Sequence, residues 1–194
     1  MLRRTHLLYL HGFRSSPRSA KALRMARWVQ EQRPGLQFCC PQLPPSPREA
    51  LALVQSLTQD WPAQTMAVMG SSLGGYYATW VAQQRGCHAV LLNPAVDPAR
   101  DLAAYIGEQR QWHAPEESFY FRPEYVDELR ALHSGPLAHP ERLMAVIAKG
   151  DEVLDWHEML GRYQACRVKL LEGSDHGLSD FDEFLPELTD FLQL

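Results

Sequence analysis

The run Gly70-Ser71-Ser72-Leu73-Gly74-Gly75 stands directly after the apolar stretch Met66–Met69. A serine with glycine two positions to either side, at a strand-to-helix turn, is the pattern of an exposed nucleophile. The glycines have a physical reason. At so sharp a bend the serine backbone is strained, and side chains two residues before and after it collide. Ser72 has Gly70 and Gly74 at those positions, whereas Ser71 has Met69 and Leu73. The competing reading is a Gly-rich helix start that binds phosphate or packs closely.

A serine hydroxyl is a weak nucleophile and needs a base in reach, with an acid to orient that base. Where the serine sits on such an elbow, the order along the chain is serine, acid, histidine, each after a strand. Gly173-Ser174-Asp175-His176-Gly177 follows the apolar run Val168–Leu171, and His176 is the histidine in this last loop. His11 closes the first run and reads as a loop anchor beside the site, and His88 begins a strand. His113, His133 and His139 fall in a long polar stretch, and His157 on a helix. No H-x-x-x-H or similar pair appears, so no metal is expected, and no motif calls for a cofactor.

Four aspartates compete for the acid: Asp97, Asp151, Asp155 and Asp175. Asp151 follows the run Leu143–Ala148 in Lys149-Gly150-Asp151-Glu152-Val153, at the carboxyl end of a strand, where open α/β sheets place their sites. Asp97 follows the fourth strand after Asn93-Pro94 and is the serious alternative. Asp155 falls one turn into the next helix. Asp175 adjoins His176, and neighbouring side chains on an extended loop diverge. Asp151 is the favoured acid. Acyl transfer also needs backbone N–H donors for an oxyanion. Leu73, at the helix start, supplies one; Phe13, in the loop His11-Gly12-Phe13-Arg14, supplies the other.

The elements that must carry these residues are six short apolar runs: Leu7–Leu10, Leu36–Cys40, Met66–Met69, Ala89–Leu92, Leu143–Ala148 and Val168–Leu171. Each is continuous rather than alternating, which predicts parallel strands covered on both faces. Helical patterns separate them. Ser46-Pro47-Arg48-Glu49 reads as a capping box before Ala50, Leu53, Val54 and Leu57. Ser16-Pro17 reads as the start of a helix with Ala22, Met25, Ala26 and Val29 on one face. Strand alternating with helix predicts a three-layer α/β domain over residues 1–194. Pro41 to Pro47 reads as a stiff loop. Asp97 to Pro140 is a long polar connection carrying Tyr105, Trp112, Phe119, Tyr120, Phe121 and Tyr125. It reads as a helical lid over the site, its aromatics lining an acyl pocket.

Composition sets the outer limits. The 194 residues are 45% hydrophobic and 22% charged, with a net charge of −4. That is one ordinary domain with no electrostatic footprint for nucleic acid or an anionic membrane. Cys39 and Cys40 are adjacent, while Cys87 and Cys166 stand alone, so no metal or redox spacing exists. The longest apolar run, Leu143 to Ala148, is far too short to span a membrane, and a cytoplasmic protein is expected.

Taken together, Leu8-Tyr9-Leu10-His11-Gly12-Phe13, Gly70-Ser71-Ser72-Leu73-Gly74-Gly75, Asn93-Pro94-Ala95-Val96, Gly150-Asp151-Glu152-Val153-Leu154-Asp155 and Asp175-His176 resemble the α/β-hydrolase superfamily, specifically small bacterial esterases of the YqiA type. The resemblance runs nearly end to end. It implies hydrolysis of an acyl ester or thioester through Ser72, Asp151 and His176, and six strands in the order 2-1-3-4-5-6. Gly177-Leu178 stands where relatives carry serine and an aromatic, which bears on the acyl pocket. The rival expectation is a hydrolase-fold binding module with weak or vestigial activity.

Overall fold

Four of the continuous apolar runs become strands covered on both sides, while those at Gln37–Cys39 and Arg167–Leu171 lie at the sheet edges and are only partly buried. The computed structural model describes residues 3–194. Its strands are β1 (His6–Leu10), β2 (Gln37–Cys39), β3 (Met66–Ser71), β4 (His88–Leu92), β5 (Gly107–Arg110), β6 (Ser118–Phe121), β7 (Leu143–Ala148) and β8 (Arg167–Leu171). Six of them form one parallel sheet in the order β2-β1-β3-β4-β7-β8. Counting the strands of this sheet alone, the order is 2-1-3-4-5-6. Every residue of β3 and β7 is buried.

The pleat divides each strand between two cores. Leu7, Tyr9, Met69, Val90 and Val146 pack with α1 (Ala20–Gln32) and α7 (Phe181–Leu192) on one face. Leu8, Leu10, Val68, Leu91 and Ala145 pack on the other face with α2 (Pro47–Thr58), α3 (Leu73–Arg85) and α6 (Trp156–Tyr163). Two helix readings shift. Ser16-Pro17 does not open α1: Ser16 Oγ accepts the Arg18 N–H in a turn, and α1 begins at Ala20. In α2 the buried face is Ala50, Leu51, Val54 and Thr58, while Leu57 is exposed.

The connection from β4 to β7 also departs from the helical expectation. It holds a short α4 (Pro98–Leu102), a 3-10 turn at Ala103–Tyr105, the antiparallel hairpin β5-β6, and α5 (Pro123–Ala131). The reason lies in Ser118-Phe119-Tyr120-Phe121. Tyr120 is exposed and Phe121 buried, with Phe119 partly covered, a period of two that suits a strand and not a helix.

Fastening of this insertion to the sheet is polar as well as apolar. Glu128 on α5 lies against the start of α2: its Oε2 accepts from Ser46 Oγ at 2.6 Å and from the Arg48 N–H at 3.0 Å. Ser46 in turn accepts the Glu49 N–H at 3.2 Å as N-cap. A carboxylate at a helix N-terminus meets unpaired N–H groups and the positive end of the dipole. Ser46→Ala removes both links. It is expected to cost about 1–2 kcal/mol, read as a fall in Tm of roughly 2–8 °C. An unchanged Tm would show that Glu128 caps α2 without help from Ser46.

Candidate active site

Strand β3 ends one residue before Ser72, whose φ is 56° and ψ −121°. A non-glycine residue with positive φ is strained, and the surroundings hold this one in place. The Ser72 N–H donates to Leu92 O at 2.9 Å, and Ser72 O accepts from the Ala95 N–H at 3.1 Å. The bend brings backbone against backbone. A Cβ on Gly70 would lie 2.1 Å from Gly74 O, and one on Gly74 would lie 2.0 Å from Leu10 O. Both are far inside van der Waals contact, so both positions need glycine.

His176 sits in the loop after β8. Its Nδ1 lies 2.7 Å from Asp151 Oδ2, with the Asp151 side chain fully buried and the imidazole 22% exposed. The other carboxylate oxygen, Oδ1, accepts the N–H groups of Val153 and Leu154, each at 2.8 Å. A buried carboxylate costs heavily unless its oxygens are bonded, and these are. With Asp151 ionised, the ring proton sits on Nδ1 and leaves Nε2 free as a base. Ser72 and His176 line the same cavities. Among the described residues, no hydrogen bond joins Ser72 Oγ to the ring, whose recorded side-chain bond is that to Asp151.

The other three aspartates are occupied elsewhere. Asp97 caps α4, accepting the Arg100 N–H at 3.2 Å. Asp155 caps α6, accepting the His157 N–H at 2.8 Å, and those contacts hold its carboxyl below the usual range. Asp175 Oδ1 accepts the Ser179 N–H at 2.8 Å. Leu73 opens α3, where first-turn N–H groups have no intrahelical acceptor. Phe13 and Leu73 both line the cavity that holds Ser72 and His176. The Phe13 ring packs edge-on against Tyr105, Phe119 and Phe121 of the insertion. Tyr105 and Trp112 line the cavity, whereas Phe121 is buried against Tyr125. The insertion's aromatics thus divide between lining and docking. Among the described residues, no group of three His, Cys, Asp or Glu side chains converges as metal ligands would.

Three positioning residues escaped the sequence reading. Asn93, fully buried, has Oδ1 accepting the Ala148 N–H at 2.8 Å, while Nδ2 donates to Asp175 O at 3.0 Å and His176 O at 3.3 Å. It ties the ends of β4 and β7 to the His176 loop. Glu152 Oε2 accepts the His176 N–H at 2.9 Å. Gly150 lets that loop approach, since a Cβ there would lie 2.2 Å from Ser174 O. The only signal for Asn93 was an asparagine directly after a strand, which sequence alone does not separate from a turn residue.

His11 behaves as an anchor. Its Nε2 accepts the Leu43 N–H at 3.0 Å and its Nδ1 donates to Gly12 O at 3.0 Å, so the ring is neutral. Burial lowers its pKa from the ordinary 6.5. His88, whose Nδ1 accepts from Arg4 at 2.6 Å, is lowered the same way.

The chain belongs to the uncharacterised protein family UPF0227, which it matches over residues 6–193. That is the family to which the YqiA-type resemblance points. A UPF0227 protein from Shewanella sediminis is 23% identical over 192 residues, covering 96% of this chain and 99% of its own. Among solved structures, alpha/beta hydrolase domain-containing protein 10 from mouse superposes with a TM-score of 0.73 at 15% identity, over 99% of this chain and 92% of that one. A structure of the metagenome-derived lipolytic enzymes LipS and LipT gives 0.69 at 18% identity, over 98% and 94%. The fold is that of the α/β hydrolases. No helix among the described residues is long and apolar enough to cross a membrane.

Two outcomes follow from this geometry. Asn93→Ala strands the Ala148 N–H and is expected to cost about 1–3 kcal/mol, read as a lower urea midpoint. No change would mean that the β4–β7–His176 tie carries no stability. For His11 the unfolded chain takes up a proton as pH falls through 6.5, while the folded ring resists. Its stability contribution is therefore complete above 6.5 and lost as pH drops towards the lower folded value. Urea midpoints should decline from about pH 7.5 to about pH 5.5, and His11→Gln should flatten part of that slope.

Proposed function

We propose that this member of the UPF0227 family is a serine hydrolase of carboxylic esters or thioesters. The observation that carries the reading is the buried Asp151 at 2.7 Å from His176, beside a serine held at positive φ. A binding role would place no demand on a fully buried carboxylate aimed at a partly buried ring. The likeness to lipolytic enzymes supports it from the side of the fold.

In this reading Ser72 Oγ attacks the acyl carbon while its proton passes to His176 Nε2. Charge gathers on the carbonyl oxygen, facing the N–H groups of Phe13 and Leu73. The tetrahedral intermediate collapses, the bond to the leaving oxygen or sulfur breaks, and His176 hands that atom the proton. Water then attacks the acyl carbon as its proton passes to His176 Nε2; the bond to Ser72 Oγ breaks, His176 returns that proton to Oγ, and the carboxylic acid leaves. Asp151 holds the proton of His176 on Nδ1 and offsets the charge of the imidazolium.

Ser72→Ala should lower kcat on para-nitrophenyl butyrate by about 10⁴- to 10⁶-fold with the fold intact, and Ser71→Ala should keep most activity. Labelling by a fluorophosphonate should fall on Ser72. Label on Ser71 instead, or none on either, would sink the assignment. Asp151→Asn should cost roughly 10²–10⁴ in kcat through the wrong tautomer, and Asp97→Asn and Asp155→Asn each less than about tenfold. A crippled Asp97→Asn enzyme would move the acid to Asp97.

A further inference from the structure

The cleft at Ser72 and His176 has two adjoining lobes that differ in the charged side chains along them. One lobe, of about 670 Å³, is walled by Ala95, Pro98, Leu102, Tyr105, Val153 and Leu154. Two carboxylates stand at it, Asp101 and Glu152, already engaged by Arg100 and by the His176 N–H. The other lobe, of about 260 Å³, starts from the same Ser72 and His176 and is edged by Ser15, Ser19, His113 and Lys21. No aspartate or glutamate lines it.

Resting on the esterase reading, we propose that the smaller lobe receives the leaving half of the substrate and that this half carries an oxyanion, a carboxylate or a phosphate, held by Lys21. The apolar acyl chain then occupies the larger lobe. Lys21 Nζ donates to Gly177 O, one residue beyond His176, which spends one of its three donors. The ammonium is therefore fixed beside the reacting centre with donors left over. Burial draws its pKa down to about 8, and the opposing pull of Asp175 and Asp151 does not make up the loss. A cation so placed is improved by an arriving anion. In the larger lobe the one lining cation, Arg14, already donates to Arg110 O at 2.8 Å and lies over the Trp112 ring, and the Glu152 and Asp101 carboxylates there disfavour an anionic acyl group.

The experiment compares kcat/KM for three butyrate esters that differ in the leaving group: para-hydroxybenzoate, para-hydroxyphenyl phosphate and neutral methyl para-hydroxybenzoate. Wild type should prefer at least one charged ester over the neutral one by roughly tenfold or more, and the better of the two identifies carboxylate or phosphate. Lys21→Gln should bring that ratio to within about twofold of unity, whatever happens to the overall rate, and Lys21→Arg should restore it. The wild-type ratio is read without any variant, so misfolding of Lys21→Gln does not remove the test. The proposal falls if the neutral ester is cleaved as well as both charged ones, or if Lys21→Gln keeps the preference. It also falls if mono-phenyl succinate, charged on the acyl side, is the favoured substrate over phenyl butyrate. In each of those cases neutral esters are still cleaved and the esterase reading stands. If wild type cleaves none of the esters, the esterase reading falls and takes this one with it.

Discussion

The turn at Ser72 is the constraint on which the remaining geometry hangs. A chain leaving the carboxyl end of β3 must reverse into α3 within one residue, and it does so with Ser72 at φ 56°. Such a conformation costs of order 1–3 kcal/mol and persists only where neighbours over-determine it. Here the neighbours are the ends of the two strands that flank β3. Leu92 accepts the Ser72 N–H, Ala95 donates to its carbonyl, and Leu10 O lies where any side chain on Gly74 would have to be. The central strands β1, β3 and β4 and the helix α3 are thereby locked at one point.

From that point the other functional groups are reached through the sheet. Parallel strands all end on the same side, so the loops after β1, β3, β7 and β8 meet there. The sheet brings them near, but near is not enough for a hydrogen bond. Asn93 supplies the last adjustment by bonding the end of β7 and the His176 loop with one amide, and Gly150 removes the side chain that would hold that loop away. The short contact between Asp151 and His176 is the product of that clamp.

The insertion shapes the cleft from above without belonging to the sheet. Its buried Ala99, Phe121, Val126 and Leu129 join the core on the α3 face of the sheet, and it holds on as well through Glu128 at the start of α2, the Tyr76 hydroxyl on Leu129 O, and aromatic packing on Phe13. Phe13 is common to both parts, since its backbone belongs to the loop after β1 and its ring to the insertion. Changes in the insertion therefore bear on the loop that faces Ser72.

By itself the sequence determined the framework. Continuous apolar runs can be buried on both faces only as parallel strands, so Leu7–Leu10, Met66–Met69 and Leu143–Ala148 announced the sheet and its class. The paired glycines about Ser72 were legible for the same kind of reason, since a steric demand two residues away leaves its mark in residue type. What could not be read is what depends on distance between segments far apart in the chain. Local setting favoured Asp151 and left Asp97 as its alternative, and only the fold showed which carboxylate faces His176, with Asp97 turned to the Arg100 N–H instead. Nothing local to Asn93 showed that its amide would join the end of β7 to the His176 loop. The hairpin in the insertion was present as a period of two in Ser118–Phe121, too short to outweigh the polar residues around it. Lys21 stood in a helix start with no sign of its place beside His176, because local pattern records which face of an element is buried and not what lies across from it.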